Sequence, residues 1–163
     1  MIISTMINLI KILGLSAFML TTMVGCYAPG AFEAVANHGG DILDSGFPLI
    51  CPHCNIIFYG PEPTDVDFDS LVPSLNALGT WYLDLRDSTM PDASLSSVRR
   101  IRTLQVFAFQ GSGARFTLNG LRQLKGMPSL STLFVDRELF TDADAESLSA
   151  SLPHVHVVRI SNR

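Results

Sequence analysis

Two stretches decide how this chain is to be read: Cys51-Pro-His-Cys-Asn-Ile-Ile-Phe-Tyr59 and Leu152-Pro-His-Val-His-Val-Val-Arg-Ile160. Both carry Pro-His at the same offset, and apolar residues or cysteine fill the same positions around it. Three further copies lie between them. Counted from the first residue of each apolar-x-apolar strand core, the cores are Ile57-x-Tyr59, Leu83-x-Leu85, Phe107-x-Phe109, Leu133-x-Val135 and Val158-x-Ile160, at steps of 26, 24, 26 and 25 residues. Three residues before each core stand Cys54, Thr80, Leu104, Leu130 and Val155, and six before stand Cys51, Ala77, Ile101, Met127 and Leu152.

Upstream of four cores runs an amphipathic stretch: Val66–Leu75, Ala93–Ile101, Leu118–Met127 and Ala143–Leu152. Two of these open with Thr-Asp, at Thr64-Asp65 and Thr141-Asp142, a helix N-cap signal that also sets negative charge at the positive helix end. The neighbouring acids (Asp67, Asp69, Asp144, Glu146) fit that role and solvated helix faces better than paired catalytic carboxylates. One strand and one helix cannot bury their own apolar edge, so units of this length are expected to stack, with parallel strands in a shared sheet.

A period near 25 with L-x-x-L-x-L strands resembles the leucine-rich-repeat family, in its variety with helices on the convex side. The resemblance spans 49–163 and implies an α/β fold: a short leucine-rich-repeat solenoid of about five parallel strands with convex helices. Where that family carries an asparagine, five residues after each reference, this chain has Glu62, Ser88, Ser112, Glu138 and Arg163. The resemblance further implies that the positions flanking each reference face outward on the concave side. Those columns are Ile56, Tyr82, Val106, Thr132 and Val157, and Phe58, Asp84, Ala108, Phe134 and Arg159. A solvated face should be more polar than this, so Phe58, Tyr82, Asp84, Val106, Phe134 and Arg159 form the candidate binding face. Two alternatives stay open: the 26–48 segment folds back over the stripe, or some strand cores are offset by one residue.

The chain opens differently. Residues 1–25 hold one charged side chain, Lys11, followed by 14 uncharged residues, Ile12 to Gly25. That length suits a signal peptide and falls short of the roughly 20 residues a membrane span needs. Met23-Val24-Gly25-Cys26 resembles the lipobox of bacterial lipoproteins, which implies lipidation at Cys26 and export to the cell envelope. Tyr27 in the next position points to the outer membrane or cell surface over the inner membrane. Either Met1 or Met6 serves as a start. Residues 26–48, rich in glycine, read as a tether with an N-terminal cap.

Of 163 residues, 47% are apolar and 16% charged, enough to bury one core. Without the leader the chain carries 10 Lys+Arg against 15 Asp+Glu and shows no basic run, which argues against nucleic acid and against electrostatic docking on anionic lipid. Cys51-Pro-His-Cys54 resembles the dithiol of thioredoxin-like oxidoreductases, but a strand signal follows it where that family has a helix. With Cys26 lipidated, Cys51 and Cys54 form an even pair in an oxidising compartment, buried or disulfide-linked. A lone C-x-x-C supplies two of the four ligands that structural zinc wants, so no metal and no cofactor is expected. No catalytic motif is present. The expectation is a lipid-anchored scaffold for a protein or glycan partner, not an enzyme. A periplasmic thiol-disulfide oxidoreductase using Cys51 and Cys54 is the alternative, and a purely structural envelope protein is a third reading. The β-branched strand ending at Ile160 has no visible capping unit, which invites a homodimer through that edge.

Overall fold

The computed structural model describes residues 29–43, 54–61, 63–111 and 115–161. The leader, Cys26, Cys51 and His53 lie outside these residues. In chain order the elements are α1 (Pro29–Asn37), β1 (Gly40–Leu43), β2 (Cys54–Tyr59), α2 (Asp65–Ala77), β3 (Thr80–Arg86), α3 (Leu95–Val98), β4 (Val106–Gln110), α4 (Leu118–Leu121), β5 (Thr132–Asp136), α5 (Asp142–Ser151) and β6 (His156–Ile160). Short 3-10 segments precede α3 and follow α4. The strands form one six-stranded sheet in the order β1 to β6, so each pairs with its neighbour in sequence. All pairs are parallel except β1 with β2. The fold is therefore α/β, with a mostly parallel sheet. Among the described residues no helix is long and apolar enough to cross a membrane.

Local chemistry sets the helix starts. The hydroxyls of Thr64, Thr117 and Thr141 accept from the backbone N–H of Asp67, Gly120 and Asp144, three residues on. At Thr141 the Asp144 carboxylate also accepts from the cap's own N–H, completing a reciprocal box. The helices cover one face of the sheet and bury Leu71, Leu75, Leu95, Leu121 and Leu148 against Leu83, Leu85, Phe107, Phe109, Leu133 and Val135. Phe109 meets Phe116 edge-on at 5.1 Å and Phe140 at 5.8 Å, which ties consecutive layers together.

The middle three units keep the phase expected from sequence, and the two outer ones differ. Ile56 and Phe58 pair with Leu83 and Leu85, so these two face the helices where Ile57 and Tyr59 were expected. Phe58 is fully buried, with its ring edge-on to Phe68 at 6.3 Å. Four successive apolar residues, Ile56 to Tyr59, carry no alternation to fix phase, and the pairing slips by one between Cys54 and Asn55. At the other end Val157 pairs with Leu133 and Arg159 with Val135. Arg159 reaches the start of α5, where it bonds the Asp142 carboxylate, and donates to Arg137 O at 3.0 Å. Its two terminal nitrogens are thereby bonded on the helix side, while its buried Nε has no hydrogen-bond partner, and Val158 turns to the other face.

The described part of the 26–48 segment is folded. Ala31 and Val35 of α1 enter the core beside α2, and β1 adds an antiparallel edge strand to β2. Gly40 is required there, since a side-chain carbon at this position would come within 2.7 Å of the Phe58 ring. Among the described residues of the segment, α1 packs on the helix side and β1 extends the sheet. The expected asparagine role at the strand exits passes to Asp136 and Ser88. Asp136 is buried and accepts from Gly111 N at 2.8 Å and Glu138 N at 2.7 Å, while Ser88 Oγ accepts from Met90 N.

Candidate binding face

Opposite the helices, the sheet presents the outward residues of its six strands. Register places Asn55 beside Tyr82 and Val106 beside Thr132, then Ile57, Asp84, Ala108 and Phe134 in one row across β2 to β5. Of the six residues expected here, Tyr82, Asp84, Val106 and Phe134 share this face. Phe58 and Arg159 do not, for the phase reasons above, and Ile57 and Val158 take their places.

Asp84 sits in the middle of the row and is fully buried. Its Oδ2 accepts from the Arg86 Nε at 2.8 Å, the Tyr82 hydroxyl at 3.2 Å and the Gln110 amide at 3.5 Å. Its Oδ1 has no partner, and neither has the buried Oδ1 of Asn55 on the adjoining strand. An unpaired buried acceptor costs about 1–3 kcal/mol, so a carboxylate held this way marks a place where a hydrogen-bond donor is wanted. Burial, with the Asp84 charge adding to it, pushes the Tyr82 phenol up to about 12, so this hydroxyl stays a donor at neutral pH. The hydrogen bond to Asp84 raises the Arg86 guanidinium above its ordinary value. Arg86 also lies 5.6 Å from the centre of the Tyr59 ring, which is 49% exposed.

The face thus combines a charged pair, two tyrosines, an amide and the half-buried Phe134. Sequence columns found Asp84 and Tyr82 but missed Arg86, Gln110, Tyr59 and Asn55. Two of these stand at strand exits, beyond the flanking columns, and the other two on the strand whose phase was misjudged. What the arrangement can do is hold a ligand by stacking and by donor–acceptor contacts.

Cys54 opens β2 and is 1% exposed. A reactive thiolate favours access and a helix start, and this position offers a strand inside the core. Among the described residues no group of three His, Cys, Asp or Glu is arranged to hold a metal ion. His38 Nδ1 lies 2.8 Å from Ala34 O, four residues back on α1, and His154 and His156 are exposed. The outer edge of β6 pairs with no strand among the described residues.

No protein-family model matches this chain, and no curated protein matches it in sequence.

Proposed function

We propose that the chain is a short leucine-rich-repeat-like scaffold without catalytic activity, whose sheet face opposite the helices binds a protein or glycan partner in the cell envelope. Strand cores about 25 residues apart that pair in consecutive order support the repeat reading. The observation that carries the binding reading is Asp84, a fully buried carboxylate at the centre of that face with one oxygen left without a donor. Half-buried Tyr82 and Phe134 flank it, the kind of aromatic anchors on which interfaces concentrate. Lipid attached at Cys26 would hold the scaffold at the envelope, and multiple acyl chains anchor stably where one binds marginally.

Crosslinking in intact cells, followed by mass spectrometry of captured neighbours, tests this directly. Tyr82→Ala with Phe134→Ala, checked to be folded by circular dichroism, is expected to lose a partner that the unaltered chain captures. An unchanged set of neighbours would sink the reading. For the anchor, Cys26→Ser is expected to move the protein from the membrane fraction to the soluble one, and retention in the membrane counts against lipidation.

A further inference from the structure

The helix side carries a second feature, unrelated to the candidate binding face. Val72, Pro73 and Asn76 of α2 and Arg99, Arg100 and Arg102 beyond α3 line an open groove of about 530 Å³, within the roughly 300–1,000 Å³ of small-ligand sites. Three of the chain's nine arginines therefore meet in one place, in a protein whose net charge is −4. In sequence they look unremarkable, since buried Ile101 interrupts them and their partner Asn76 lies a whole unit upstream.

The backbone beneath them is held firmly. The Asn76 amide donates to Val72 O and Arg100 O, both at 3.0 Å, and its oxygen accepts from Arg102 N at 2.8 Å. Arg100 gives an N–H to the Asp69 carboxylate at 2.5 Å, which neutralises it. The guanidinium groups of Arg99 and Arg102 have no hydrogen bond or ion pair among the described residues, and both side chains are exposed. Two uncompensated positive charges thus flank one groove with a partly apolar wall. Guanidinium forks match phosphate oxygens in geometry, and a phosphate dianion matches the two spare charges where a carboxylate would leave one over.

We propose that this groove binds a phosphate monoester or inorganic phosphate through Arg99 and Arg102, with Val72 and Pro73 supporting the ester group. The test follows the arginine Nε–Hε resonances of the full chain by NMR while inorganic phosphate, phenyl phosphate, acetate or phosphatidylglycerol vesicles are added. Expected are saturable shifts of Arg99 and Arg102 with phosphate and phenyl phosphate, with affinity on the order of 1 mM. Arg99→Gln with Arg102→Gln is expected to weaken binding at least tenfold, and the double Lys variant to fall between, since charge remains and the fork is lost. Neither pair should move the melting temperature, because neither guanidinium makes a hydrogen bond or ion pair among the described residues. Four outcomes overturn the proposal: no saturation with phosphate, acetate binding as tightly, binding to vesicles alone, or a double Gln variant that binds unchanged.

Discussion

The phase of β2 decides which residues the candidate binding face owns, and one pair of substitutions measures it. Phe58 is fully buried against Phe68, so Phe58→Ala removes a core ring and leaves a cavity, at a cost of about 3–5 kcal/mol. Tyr59, next along the strand, is half exposed and loses chiefly its contact with Arg86, worth about 0.5–1 kcal/mol. For a domain of this size about 3 °C of melting temperature goes with each kcal/mol. The expected drops are therefore about 9–15 °C for Phe58→Ala and about 2–3 °C for Tyr59→Ala. Urea unfolding followed by circular dichroism gives the same comparison as a free energy, with a gap of about 2–4 kcal/mol. Equal losses, or a larger one at Tyr59, would refute the pairing of Phe58 with Leu85 and return Phe58 to the binding face.

Three further expectations follow from the geometry. Because the Tyr82 phenol is raised to about 12 in the folded chain against about 10 when unfolded, its contribution is intact below pH 10 and is lost as pH climbs toward 12. Asp84→Asn removes the charge contribution, so ultraviolet titration should show that phenol ionising at lower pH, still above 10 because burial remains; no movement would separate Tyr82 from Asp84. Thr141→Ala strips the reciprocal cap from α5 and should cost about 1 kcal/mol in urea unfolding, whereas a neutral result would mean that the helix start is held by packing alone. On β6, His156 N and Ile160 O bond toward β5, which turns the backbone groups of Val157 and Arg159 outward. Two copies can then pair antiparallel about Val158 as a homodimer. Sedimentation should show a dimer at high micromolar concentration that Arg159→Pro disrupts, and a monomer in the unaltered chain rules it out.

Much of the architecture was legible because its signals are periodic or chemically singular. The recurrence of apolar pairs found every parallel strand, and Thr-Asp located the starts of α2 and α5. Phase failed where neighbouring apolar residues run together, at Ile56–Tyr59 and Val157–Val158, since alternation is the only local cue to which side a strand buries. Arg159 went astray for a related reason. A charged residue on a strand suggests solvent, yet its partner Asp142 lies 17 residues upstream at a helix start. The turn role of Asp136 could not be read from the asparagine column, because a different residue two positions earlier fulfils it. The arginine groove depends on contacts between successive units, about which a linear reading says little.

Among the described residues each strand pairs only with its immediate predecessor and successor along the chain, so much of the cohesion is between segments about one unit apart. Damage in such an array stays local: a weakened link loosens its own neighbours and leaves distant ones standing. Length is likewise modular. Excising one whole unit, such as Ser88 to Ser112, would narrow the sheet by a single interstrand spacing, about 4.8 Å, and splice its former neighbours into contact. The width of the surface on offer could thus be tuned in discrete increments, without redesigning the interior.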